Sequence, residues 1–117
     1  MLNQVVLVGR LADEPTSVEL ENDHKKITMN IIVPRSYKNS KGEYDSDIIR
    51  CVLWDQIATT TKEYCHKGDI VGIKGRIQVT EVNETENTIK YITEVIAEKV
   101  TFLSSKKEEK EEGEENE

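Results

Sequence analysis

Only one stretch of this chain has the spacing of a helix. Within residues 56–66, Ile57, Thr61, Tyr64 and Cys65 recur at i, i+4, i+7 and i+8, the stripe of an amphipathic helix. Asp55 is placed to cap its start and Gly68 to end it. The other apolar segments are short β-branched runs or alternate with period two. Residues 5–8, closed by Gly9-Arg10, read as a strand; after the turn-like Asp13-Glu14-Pro15, residues 17–20 resume extended structure. Residues 27–33 place Ile27, Met29, Ile31 and Val33 on one face and Thr28 and Asn30 on the other, and Pro34 ends the run. Residues 35–46 form a polar loop with two tyrosines. Residues 47–54 are extended, 69–79 return to period two, 80–88 are a loop, and 89–103 form a long last strand whose two apolar faces call for a bulge.

The order is strand, strand, strand, helix, strand, strand. In a chain of 117 residues this predicts an all-β domain with one capping helix, the OB-fold, a five-stranded Greek-key barrel. Other small barrels lack a full helix at that place, and a four-strand, two-helix sandwich needs a second amphipathic helix that the sequence does not contain. The domain is expected over residues 1–104. Residues 105–117 are expected to be a disordered acidic tail, because 106–117 hold seven Glu, three Lys and no apolar side chain.

Charge qualifies the functional reading. The formal net charge is -7, which argues against a polyanion ligand. With the tail's three lysines and seven glutamates set aside, however, the 16 basic and 23 acidic residues fall to 13 and 16, so the body is nearly neutral. No run approaches a membrane span and no secretory signal opens the chain, so a cytoplasmic, nucleoid-associated protein is expected. Cys51 and Cys65 have no metal-ligand spacing and read as buried thiols. G-x-x-x-x-G-K-[ST], G-x-S-x-G and H-E-x-x-H are all missing, and His24 and His66 fall on a polar turn and a helix end. No enzyme and no cofactor are expected.

The strand over 47–54 points to a ligand. Ile49, Cys51 and Leu53 form a core face, while Ile48, Arg50, Val52 and Trp54 face outward and display the only tryptophan beside an arginine. Over 69–79, Val71, Ile73, Ile77 and Val79 lie on one side and Lys74, Arg76 and Gln78 on the other. Tyr37 and Lys38 stand on the loop that precedes residues 47–54. Aromatic faces interleaved with cations suit single-stranded nucleic acid, whose bases stack and whose phosphates attract Lys and Arg.

These segments resemble the bacterial single-stranded DNA-binding protein family, with its phage and plasmid members. The resemblance lies in residues 2–11 (LNQVVLVGRL), 49–54 (IRCVLW), 64–68 (YCHKG), 71–77 (VGIKGRI) and 91–95 (YITEV), in order and in spacing. It implies an OB-fold protomer of a homotetramer that binds single-stranded DNA with little sequence preference in replication, recombination and repair, and catalyses nothing. It places the family's four stacking positions on Tyr37, Ile48, Trp54 and Val82, two of them aromatic in this chain. It also points to Arg50 and Lys67 for phosphates, to which the face argument adds Lys74, Arg76 and Lys38, with Arg35 a softer candidate. Replication and repair proteins are the partners the family implies, yet the hydrophobic acidic tip that docks them in many members is missing here. The rival reading is an OB-fold protein-interaction module of primosome type, with nucleic-acid binding incidental; RNA is a third ligand that stacking alone does not reject.

Overall fold

The computed structural model describes residues 1–15 and 19–105. The expected tail falls almost wholly on 106–117, outside the described residues. The elements in chain order are β1 (Val5–Leu11), β2 (Glu19–Glu21), β3 (His24–Lys38), β4 (Tyr44–Trp54), α1 (Asp55–Tyr64), β5 (Ile70–Thr85) and β6 (Thr88–Ser104). The strands neighbour one another as β1-β5-β6-β4-β3-β2, and a second pairing of β1 with β3 closes the ring over five of them. This is the closed barrel with one helix that the sequence predicts.

Alternation builds the interior. Leu11, Ile27, Met29, Ile31, Cys51, Leu53, Val71, Ile73, Val95 and Ala97 are buried in one cluster, joined by Ala58 of α1 and by Cys65 just beyond it. The seam is short: β1 pairs with β3 only at Arg10↔Ile32 and Leu11↔Ile31, whereas residues 5–10 run along β5. Gly9 lets the two strands meet there, since a Cβ would strike the Ile31 side chain and stand 2.6 Å from the Ile32 carbonyl oxygen.

The two expected loops are largely strand. β3 passes through Pro34, which pairs with Ser46, and the register shifts between Pro34 and Lys38; this irregularity is where a residue without an N–H is tolerated in a ladder. The polar segment over 35–46 is therefore the outer half of a β3–β4 hairpin, turning at residues 39–43. Likewise β5 and β6 stay paired out to Thr85↔Thr88, so 80–88 is a ribbon and not a loop. Ile77 and Val79, expected on the same side as Val71 and Ile73, are exposed although those two are buried, because β5 has by then left the barrel. The expected bulge in the last strand is present: Lys74 faces Lys99 while Gly75 faces Ala97, leaving Glu98 as the extra residue.

The helix also differs from expectation at both ends. It begins at Asp55 and stops at Tyr64, Trp54 is the N-cap without a side-chain bond, and Cys65 ends the helix by donating its N–H to the Thr61 carbonyl. Tyr64 is exposed, and the buried stripe is Ala58 and Thr61. Gly68, at a left-handed φ of 93°, serves the barrel closure, its N–H bonded to the Leu11 carbonyl at 2.9 Å.

Candidate nucleic-acid interface

Strand register decides which side chains share a surface. Directly opposed residues in adjacent strands point the same way, so the pairs Lys26↔Trp54, Thr28↔Val52, Asn30↔Arg50 and Ile32↔Ile48 lie on one side of β3 and β4. Val52↔Ile96 carries that side onto β6, and Arg76↔Ile96, Gln78↔Glu94, Thr80↔Ile92 and Val82↔Lys90 carry it onto β5. The exterior of four strands is thus one continuous face of even-numbered residues. It holds Trp54, Arg50, Ile48, Arg76 and Val82 of the predicted set, with Lys26, Lys90, Ile32 and Ile92.

Val52 corrects the sequence reading. It was expected on display beside Trp54 and is instead buried, as is its partner Ile96. β4 is flanked there by β3 and β6, with Thr28 and Ile96 opposite Val52, so a valine that alternation alone turns outward sits between two neighbouring strands. Ile48, farther along β4, remains 68% exposed. Beside it a depression of about 440 Å³ is lined by Val5, Leu7, Ile48, Arg50, Ile77 and Glu94 among others, an apolar floor with one ion pair at its rim.

Trp54 is half-buried, and Lys26 Nζ lies over its ring 5.4 Å from the centroid, a cation–π arrangement that occupies one ring face. Arg50 Nε meets Glu94 at 3.0 Å; the arginine side chain is 52% exposed and the carboxylate 11%, so the guanidinium is held at the surface by a nearly buried partner. Arg76 is steadied by a bond to Gln78 Oε1 at 2.7 Å.

The remaining predicted residues are placed differently. Tyr37 and Lys38 are exposed on the β3–β4 hairpin, where Lys38 Nζ stands 5.7 Å from the centre of the Tyr44 ring. Lys74 is also on the barrel exterior, but opposite Val6 and Lys99, toward β1. Lys67 stands in the loop after α1, its N–H bonded to Glu14 Oε1 at 3.0 Å, away from the strand face. Arg35 is engaged by Asp47, with Nη2 to Oδ1 at 2.8 Å, and that hydrogen bond together with the charge pair holds the Asp47 carboxyl below its usual range. His24 and His66 are exposed beside carboxylates, Asp55 at 3.0 Å and Glu14 at 3.4 Å. Lys26 and Tyr44 escaped the sequence reading. Only the β3–β4 register brings Lys26 to the tryptophan.

Among the described residues no group of three or more His, Cys, Asp or Glu could hold a metal, and no helix is long and apolar enough to cross a membrane. A closed barrel with one helix, whose exterior joins an aromatic ring, apolar side chains and surface cations, is the arrangement of an OB-fold of the strand-binding class. Comparison with known proteins gives the same class: residues 2–103 match the Single-strand binding protein family. "Single-stranded DNA-binding protein B" of Bacillus subtilis is 41% identical over 114 residues, spanning 94% of this chain and 97% of that protein. A "Single-stranded DNA-binding protein" of Oceanobacillus iheyensis is 40% identical over 106 residues, 91% of this chain and 66% of the relative. The solved structure titled "Plasmodium falciparum SSB complex with ssDNA" aligns at a TM-score of 0.75 with 25% identity, covering 89% of this chain and 97% of that one. The chain belongs to the Single-strand binding protein family and is a non-catalytic DNA-binding protein.

Proposed function

We propose that the even-numbered face of β3, β4, β6 and β5 carries single-stranded DNA, with Trp54 as its principal base platform. The observation that carries this reading is the partly exposed Trp54 ring on one face with Arg50 and Arg76. Bases stack on Trp54 and pack on Ile48 and Val82, and Tyr37 adds an aromatic surface on the hairpin. Arg50, Arg76, Lys38, Lys74 and Lys67 meet phosphates, the last two from outside the central face. Residues 1–104 form the binding domain and 105–117 an acidic tail that competes with DNA for the cations. The protein acts in the cytoplasm on the single strands of replication, recombination and repair.

The protomer assembles as a homotetramer in this reading. Support comes from β1: among the described residues, positions 5–9 have a strand partner on one side only, and Val6 and Val8 are 69% and 54% exposed.

The test follows the fluorescence of the single tryptophan while oligo-dT is added at low and moderate salt, with matched duplex and oligo-U as controls and the molecular mass of the free protein measured alongside. Quenching by oligo-dT that weakens with salt, with duplex inert, is the expected result, and a tetramer mass is expected with it. A folded protein whose tryptophan ignores every strand would replace this reading with the protein-interaction one.

A further inference from the structure

Asp55 follows Trp54 directly, in the first turn of the helix, yet its side chain does not cap it. The helix has no side-chain cap, and Asp55 holds a left-handed φ of 50°, uncommon for a residue with a Cβ. Its carboxylate instead reaches across to β3. Oδ1 accepts the Lys25 N–H at 3.1 Å, and Oδ2 lies 3.0 Å from His24 Nδ1. The β3–β4 ladder ends one position earlier, at Lys26↔Trp54. Asp55 therefore supplies the acceptor that a continuing strand would have supplied, and ties the start of β3 to the end of β4 at the pair bearing the ammonium and the ring.

We propose that Asp55 is a positioning residue for DNA binding: through Lys25 and His24 it locks Trp54 and Lys26 into a one-sided platform, Lys26 over one ring face and the other face presented to a base. This rests on the reading of Trp54 as the base platform. The left-handed backbone is what aims the Asp55 carboxylate at β3 and not at the helix N–H groups. Simple electrostatics predicts the opposite sign for any loss of Asp55, since deleting an acid beside a polyanion site strengthens binding.

That opposition makes the test decisive. Asp55→Gly keeps the backbone conformation at no steric cost and removes the clamp, whereas Asp55→Asn tolerates the same conformation and keeps an oxygen for the Lys25 N–H. Both lose the charge. Binding of a dye-labelled oligo-dT by the full-length variants, and the anisotropy of Trp54 fluorescence in the free proteins, are the readouts. Asp55→Gly is expected to weaken binding about fivefold or more, within the roughly 5- to 150-fold that a stacked base is worth, with lower Trp54 anisotropy. Asp55→Asn is expected to bind as well as the parent or better. Equal or tighter binding by a folded Asp55→Gly, or weakening of both variants alike, would overturn the proposal. Should Asp55→Gly fail to fold, His24→Ala decides: a loss of about twofold with lower Trp54 anisotropy supports the clamp, and no change in either readout refutes it. Because anisotropy is read without DNA, a failure of the stacking reading, with anisotropy falling but binding unmoved, is distinguishable from a failure of the clamp.

Discussion

Replacing Trp54 with alanine separates stacking from charge. One face of the ring lies under Lys26, so a single base has access and a single stacking contribution is at stake, about 1–3 kcal/mol. The expected loss of affinity is therefore about 5- to 150-fold. The substitution removes no charge, so the slope of log K against log salt stays where it was. Arg50→Gln gives the contrasting result. The glutamine still offers the nearly buried Glu94 carboxylate a hydrogen bond, but one phosphate contact is lost and the slope falls by about 0.7, worth roughly 2.6-fold between 50 and 200 mM salt. Trp54→Ala also gives up the Lys26 contact, about 0.5–1 kcal/mol, and the packing of a half-buried ring, so the melting temperature should fall by at least several degrees. Binding is followed by the anisotropy of a labelled oligo-dT, since the variant has no tryptophan of its own. A folded Trp54→Ala that binds within twofold of the parent, or that loses affinity only by changing the salt slope, refutes the assignment of Trp54 as a stacking platform.

Other expectations concern the scaffold. Gly75→Ala puts a Cβ against the Ile96 carbonyl oxygen, 3.0 Å from its carbon and 3.2 Å from Ala97 Cα, all backbone atoms at the bulge, and should cost about 1–3 kcal/mol in urea unfolding. Gly72→Ala, whose nearest new neighbour is a leucine methyl at 3.7 Å, is the control and should be nearly neutral. Burial pushes the Cys51 thiol up to about 11 and raises Cys65 as well, so a thiol reagent at pH 8 should label neither until the protein is unfolded. Asp47 is held below its ordinary value by Arg35, so the pair's stabilisation is present above the usual aspartate range and is lost as pH falls through the lowered value; thermal melts should show a shallower acid limb for Asp47→Asn than for the parent.

The inner barrel was legible because one face of each strand is buried and the other is wet, which writes period two into the sequence over 27–33 and at 71 and 73. Beyond Pro34 and Gly75 that condition ends. Both faces of a two-stranded ribbon meet water, so 35–46 and 80–88 carry the polar composition of loops while remaining paired. Ile77 and Val79 keep the alternation of a core strand but sit on the ribbon. Val52 fails for the converse reason: a central strand can bury both faces, and alternation does not record how crowded the outer one is. The candidate face was legible in its residue types but not in its membership. Lys26 belongs to it and Arg35 is diverted from phosphate by Asp47, and both facts depend on cross-strand register and partner geometry, which a single strand's pattern does not contain.

Register also resolves the conflict between an acidic chain and a polyanionic ligand. On the even-numbered face the cations are Lys26, Arg50, Arg76 and Lys90, and among the described paired positions of β3, β4, β5 and β6 on that face the one acid is Glu94, which is nearly buried and already bonded to Arg50. Lys90 is drawn to Glu84 on the ribbon at 3.5 Å, which leaves Lys26, at the Trp54 ring, with Arg50 and Arg76 as the other cations of this face. Of the other acids, Asp45, Asp47, Glu81 and Glu84 lie on the ribbons, and Asp55, next to Trp54, is engaged by the Lys25 N–H and His24. At 0.1 M salt the Debye length is about 10 Å, so a strand seated at Trp54 experiences mainly the face and little of the net charge of -7. Added salt weakens the phosphate contacts and also screens the distant repulsion, and these effects oppose each other. With Arg50, Arg76, Lys38, Lys74 and Lys67 as the phosphate contacts, the salt slope should be about 3.5 in magnitude, and base stacking supplies the salt-independent remainder of the affinity.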